Sequence, residues 1–160
     1  MSGVGEGSLY QVRVEFDAPL EFVYRWCTDY SSQDPKLEKD EYTRRLIRRS
    51  RREVVYEDLS EAKGGWMWSR MTVTLRPPDR WHAEAFGSHR TWRLDYTLRP
   101  LGAGRTELTL RGRRRPTELG GRNPPKARLE RELAASWANF ARALRRDYHR
   151  EGTARSHRRG

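Results

Sequence analysis

The residues best suited to chemistry are arginines. In the stretch Tyr42-Thr43-Arg44-Arg45-Leu46-Ile47-Arg48-Arg49 each face of an extended strand carries two of them. Side chains alternate along a strand, so a sheet's inner face receives either Arg44 and Arg48 or Arg45 and Arg49. A guanidinium taken out of water needs an acid, an anionic ligand or solvent at a pocket mouth. Its forked donors match a carboxylate or phosphate, which makes Arg44, Arg45, Arg48 and Arg49 a candidate anion clamp. The plainer and weightier alternative is cross-strand pairing with Glu53, Glu57 or Asp58, or solvation on an edge strand.

A second group lies in Trp81-His82-Ala83-Glu84 with His89, Arg90, Arg93 and Asp95. His82 and Glu84 share one strand face, and a neighbouring strand could bring Asp95 close. An imidazole beside carboxylates is a candidate general base, which makes His82 the one catalytic candidate. A surface ladder of opposite charges is the plainer reading and carries more weight. His-x-Glu offers two metal ligands with no third assured, so neither a metal nor another cofactor is expected. Cys27 is the single cysteine, which rules out an internal disulfide or a cysteine metal cluster.

Charge narrows the partners. The 160 residues carry 33 basic and 22 acidic side chains, a net +11. Residues 111–160 hold 15 of the basic and 5 of the acidic ones, so +10 of the +11 sits in the C-terminal third. A folded nucleic-acid binder more usually spreads its charge over one face. The segment Arg111-Gly112-Arg113-Arg114-Arg115 also lacks the interleaved aromatics of single-strand binders. Nucleic acid is therefore disfavoured. An anionic surface is a candidate second partner for this segment, against the plainer reading of solvated basic surface. No apolar run reaches membrane-spanning length and no signal-peptide core is present, so the expected location is the cytoplasm.

The elements that must position these groups follow from periodicity. Leu9–Asp17 alternates as a strand, with Tyr10, Val12, Val14 and Phe16 on one face. Asp17-Ala18-Pro19 opens a helix whose buried face is Leu20, Val23, Tyr24 and Cys27. Asp29–Asp40 reads as a short helix and a loop. Strands then follow over Tyr42–Arg49, Glu53–Leu59, Trp66–Arg76, Arg80–Phe86, Arg90–Arg99 and Thr106–Arg111, joined by short turns. In Trp66–Arg76 the residues Met67, Ser69, Met71, Val73 and Leu75 share the inward face unless a bulge intervenes. Trp66 and Trp68 then point outward, onto an exposed sheet face or a subunit contact. Asn123 as N-cap and Pro124 at the first position open a long helix to about His149, with Leu129, Leu133, Trp137, Phe140, Leu144 and Tyr148 in one stripe. Residues 1–8 read as a flexible N-terminus, 9–150 as one ligand-binding domain and 151–160 as a disordered basic tail.

Several phrases carry a family resemblance. Val14-x-Phe16-x-Ala18-Pro19-x-Glu21-x-Val23 with Thr28-Asp29 resembles the opening strand-to-helix phrase of the START-like (SRPBCC) superfamily, which includes polyketide cyclase/dehydrase-like proteins. Arg76-Pro77-Pro78-Asp79-Arg80 is similar to its central hairpin, and Trp92-x-Leu94-x-Tyr96-x-Leu98-x-Pro100 with Gly104-x-Thr106 to its penultimate hairpin. The resemblance covers roughly residues 9–149. It implies an α+β helix-grip fold, in which a curved antiparallel sheet of about seven strands surrounds a long C-terminal helix, with two short helices after strand one. The implied pocket lies between sheet and helix, lined by Tyr56, Met67, Ser69, Met71, Trp92, Tyr96, Trp137, Phe140 and Leu144. The superfamily shares no catalytic motif, so no catalytic residue is carried over.

Three functions are compatible with this reading. The first is binding or transport of a hydrophobic small molecule such as a lipid, isoprenoid or polyketide-like compound, by a monomer or homodimer. The second is an aromatase/cyclase-type enzyme with His82 or an acid as base. The third is an adaptor that binds nucleic acid or anionic membrane through the basic C-terminal third.

Overall fold

Alternation of apolar and polar side chains builds the sheet, and a stripe at helical spacing builds the element that covers it. The computed structural model describes residues 7–31, 42–62 and 64–157. Strand β1 (Ser8–Phe16) leads into helix α1 (Leu20–Cys27). Six strands follow in sequence: β2 (Tyr42–Arg49), β3 (Glu53–Ala62), β4 (Gly65–Arg76), β5 (Arg80–Gly87), β6 (Arg90–Gly102) and β7 (Arg105–Pro116). Helix α2 (Lys126–His157) closes the chain. The short helix expected within Asp29–Asp40 falls mostly on residues 32–41, outside the described residues.

The sheet is antiparallel throughout, in the order β1-β7-β6-β5-β4-β3-β2. Neighbours in the chain are neighbours in space except at β1, which pairs with β7. The inner face carries Tyr10, Val12 and Phe16 of β1, Leu108 and Leu110 of β7, Leu94, Tyr96 and Leu98 of β6, Trp81 and Ala83 of β5, and Val73 of β4, all buried. Leu129 and Leu144 of α2 complete this core, and Leu133, Trp137 and Ala141 pack against it. The exposed edge of β1 is partly closed by α2, where the Glu130 carboxylate accepts the Gln11 backbone N–H at 2.9 Å. α1 is tied to the same helix: the Trp26 indole N–H donates to Asp147 at 2.8 Å, and the Phe22 and Tyr148 rings meet at 4.9 Å.

Three details differ from the sequence expectation. Asn123 does not cap α2; its amide donates to the Arg114 carbonyl at 3.0 Å, and the helix starts at Lys126 behind two prolines. The helix also runs past His149 and through Gly152, so residues 151–157 of the expected disordered tail are helical. A single glycine costs a helix only about 1 kcal/mol, too little to end one already propagating. Finally, β7 extends through the basic segment to Pro116, because the early residues of β1 and β6 supply partners on both sides. Tertiary pairing overrides the weak strand preference of arginine and glycine there.

Candidate functional site

Between the inner sheet face and α2 the structure encloses a cavity of about 510 Å³. Its walls come from strands, from both helices, from the turn after α1 and from the β5–β6 hairpin. Tyr56, Asp58 and Ser60 project from alternate positions of β3, and Met67, Ser69 and Met71 do the same on β4. Register is continuous between β3 and β4 and between β4 and β5, so no bulge turns Trp66 or Trp68 inward. Trp66 is 63% exposed, and Trp68 meets the outward Phe86 edge-on at 5.9 Å. Trp92 and Tyr96 enter from β6, and Trp137 and Phe140 from α2. Leu144, expected to line the pocket, is instead wholly buried in the core and does not reach the cavity. Leu144 shares the helix face of Trp137 and Phe140 but stands about 10 Å beyond Trp137 along the axis by helix rise, outside the cavity wall.

The floor is aromatic. Tyr30 and Tyr56 lie 5.3 Å apart, Tyr96 and Trp137 6.0 Å, and Trp137 and Phe140 5.2 Å. Tyr30 follows the end of α1 with φ of 48°, a left-handed conformation that a bulky residue adopts at a cost of about 1–3 kcal/mol. It lines the cavity from there, and burial holds its phenol well above the ordinary tyrosine pKa. The phenol is therefore neutral, a hydrogen-bonding group in an otherwise apolar floor.

The candidate anion clamp resolves differently from either expected register. A register shift between Leu46 and Arg48 changes the parity of β2, so Arg44 and Arg49, one from each expected pair, take the inner side. Arg44 lines the cavity, with a side chain only 6% exposed. Its Nε and Nη2 donate to the two Asp58 oxygens at 2.8 and 2.9 Å, and its guanidinium lies 4.0 Å from the Tyr56 ring centre. Burial is the largest single influence and works against this charge, but the Asp58 hydrogen bond together with the charges of Asp58 and the nearby Tyr56 and Tyr42 outweighs it, and the pKa stays above the ordinary arginine value. Arg49 donates to the Thr28 and Asp29 carbonyls at the end of α1. Arg45 and Arg48 turn outward and pair with Glu57 and Glu53. The four arginines thus do not converge on one point; Arg44 alone reaches the cavity, and an acid of the protein already occupies its fork.

His82 does not reach the cavity either. It sits on the outer face, with Nδ1 2.8 Å from Asp95 and Nε2 3.3 Å from Glu84, and Arg93 completes the ladder at 3.2 Å from Glu84. The general-base assignment is corrected by strand parity: Trp81 and Ala83 take the buried side, so His82 must face out. The described residues contain no group of three or more metal-ligating side chains. No helix among them is long and apolar enough to cross a membrane.

Sequence reasoning missed several cavity residues. Trp26, Cys27 and Tyr30 come from α1 and the turn after it, His89 and Arg90 from the β5–β6 hairpin, and Tyr10 from β1. Tyr10 was legible as an inward residue of β1. Arg90 was legible as the first residue of β6, but its pairing with Pro116 depends on the extension of β7, which local preference did not reveal.

No protein-family model matches the chain, and no curated protein matches it. Solved structures do. The chain is similar to the Zhui aromatase/cyclase from Streptomyces sp. R1128, with 13% identity, a TM-score of 0.68, and coverage of 89% of this chain and 94% of that one. It is also similar to a START superfamily protein from Mycobacterium smegmatis, with 16% identity, a TM-score of 0.63, and coverage of 91% and 99%. A third likeness is to the two-domain ARO/CYC StfQ of the steffimycin biosynthetic pathway, at 16% identity and a TM-score of 0.66, over 88% of this chain and 46% of that one. At such identities the likeness is one of fold.

Proposed function

We propose, starting from a START-like helix-grip fold, that this chain binds a hydrophobic small molecule, of lipid, isoprenoid or polyketide-like kind, between sheet and α2. The observation that carries the reading is the cavity of about 510 Å³ with an aromatic floor, a volume in the range that holds small organic ligands. Removing a ligand's apolar surface from water supplies the affinity, at about 25 cal/mol per Å² before the cost of immobilising it. The neutral Tyr30 phenol and the Arg44–Asp58 pair add polar groups that orient it. Native mass spectrometry of the purified protein should reveal a retained small molecule. In parallel, Trp137→Ala should weaken binding of an apolar fluorescent dye; a folded variant that binds the dye unchanged would remove the cavity from consideration.

An aromatase/cyclase-type activity is the second reading, favoured by the two aromatase/cyclase structures among the neighbours and by His89 at the cavity wall. His89 would then be the base, with Nδ1 held 2.9 Å from the Ser88 hydroxyl. Cyclisation of a poly-β-ketone that survives His89→Gln unchanged would exclude that role.

A further inference from the structure

Two buried polar atoms near one end of this cavity lack partners among the described residues; Tyr10 lines the cavity, and Arg114 stands against Trp92, which also lines it. The Tyr10 hydroxyl and the Arg114 Nε are both shielded from solvent, and neither has a hydrogen-bond partner among the described residues. Both belong to one small cluster. Arg114 of β7 lies directly opposite Trp92 of β6, and its guanidinium is 5.1 Å from that ring's centre. Tyr10 of β1 meets the same ring edge-on at 5.7 Å. Arg90, which lines the cavity, brings a second guanidinium to within 5.2 Å of the ring.

The cluster is built rather than incidental. Tyr10 is opposite Gly112 and only 3% exposed; a Cβ at Gly112 would collide with the phenol ring and its oxygen. Glycine at that position is what lets the hydroxyl reach the inner face. Every orphaned group here is a donor. Burial keeps the Tyr10 phenol protonated, above its ordinary pKa, and the same burial lowers the Arg114 pKa because its charge is incompletely compensated. A buried donor without an acceptor has lost its hydration with nothing in return, so two of them together call for an acceptor.

Among the described residues, the acids of this end of the cavity and of its walls do not supply it. Glu132, the acid whose charge acts on Arg114, is held by Arg128 at 2.9 Å, and Glu130 accepts the Gln11 N–H. Asp58 is committed to Arg44, and Glu61 stands at the end of β3, four strands from β7.

We propose that Tyr10, Arg90 and Arg114 form an oxyanion subsite at the β1–β7–β6 end of the cavity, and that the ligand is an acidic amphiphile. Its carboxylate or phosphate accepts from Tyr10 Oη and the guanidinium groups, and its apolar body lies along Trp92 toward Trp137. This rests on the ligand-pocket reading above and adds the chemistry of one end of the ligand. It also moves the anion site from β2, where the fork of Arg44 is filled, to β7.

The test compares fluorescent cis-parinaric acid with its methyl ester, the same chain without the charge. The protein should bind the acid about tenfold or more tightly than the ester, as expected for charge-assisted hydrogen bonds in a half-buried site. Arg114→Gln should bring the acid down to the ester and leave the ester unchanged. Tyr10→Phe, which keeps the ring, should narrow the gap in the same way and serves if the arginine variant folds poorly. Arg113→Gln, on the outer face of the same strand, should leave the gap intact and so separates the subsite from the protein's general positive charge. Displacement by lauric acid and by dodecyl phosphate, each measured against dodecanol, tells which oxyanion is preferred. Equal binding of acid and ester, or a gap that survives both Arg114→Gln and Tyr10→Phe, overturns the subsite and leaves the pocket standing. If neither the probes nor an apolar dye binds, the pocket reading fails and the subsite with it.

Discussion

At the residue level, Arg44 and Asp58 show how one sequence feature splits into different fates. Four arginines within six positions of β2 are chemically equivalent on paper, yet one is buried in a bidentate pair and the others lie at the surface or at the end of α1. Removing one partner of a buried pair leaves an uncompensated charge, which costs about 3 kcal/mol or more. Asp58→Ala should therefore lower stability by roughly that amount in chemical denaturation. Glu57→Ala, which frees the exposed Arg70 and Arg45 and a hydrogen bond with Trp68, should shift the midpoint far less. If both substitutions have the same small effect, the Arg44 pair is not a buried one. Gly112 makes the complementary prediction. Gly112→Ala forces the Tyr10 ring to move and should destabilise by about 1–3 kcal/mol, as overpacked sites do. The acid preference of the cavity should fall in the same variant.

At the level of elements, α2 is longer than its amphipathic stripe. The stripe accounts for the helix as far as Tyr148, and beyond that the helix is carried by propagation rather than burial. Gly152 is exposed, with open space where a Cβ would stand. Gly152→Ala should raise stability by about 0.5–1 kcal/mol, visible as a higher thermal midpoint and more helical circular dichroism. No change in either would mean that the last turns do not fold with the rest of the helix. The sheet teaches a related lesson. β7 was legible to Arg111 from its Leu108/Leu110 alternation, and the same parity continues through Gly112 to Arg114. The extension depends on β1 and β6 offering ladders on both sides, which a local pattern does not contain.

For the molecule as a whole, the cavity exists only when sheet, α1 and α2 are assembled, because its wall draws on all three. A ligand that binds there binds the native state alone and stabilises it by mass action. At about a hundred times its dissociation constant the gain is about 2.7 kcal/mol. For a domain of this size that corresponds to roughly 5–10 °C in thermal midpoint. Parinaric acid at such a concentration should produce that shift in the wild type and a smaller one in Trp137→Ala. A ligand that binds without moving the midpoint would be sitting on the surface. Charge behaves differently at this scale. The excess in the C-terminal third becomes, in three dimensions, the outward residues of β7 and the polar face of α2, while the single inward arginine of that segment enters the cluster at Trp92.

The amino-acid sequence by itself determined the seven strands, the long closing helix and the inward face of strands such as β1 and β4. These follow from local periodicity, and burial of one face sets each strand's parity. It also placed Tyr56, Met67, Ser69, Met71, Trp92, Tyr96, Trp137 and Phe140 on faces that the fold turns toward one cavity. Tertiary structure alone decided which polar groups are satisfied. The bulge in β2 altered the parity of its arginines, strand parity sent His82 to the outer ladder, and helix geometry carried Leu144 past the cavity. Whether a buried donor finds an acceptor depends on atoms brought together from distant parts of the chain. That is why Arg44, conspicuous in sequence, has its partner in Asp58, whereas the Nε of Arg114, buried in a basic run that looked like solvated surface, has none among the described residues.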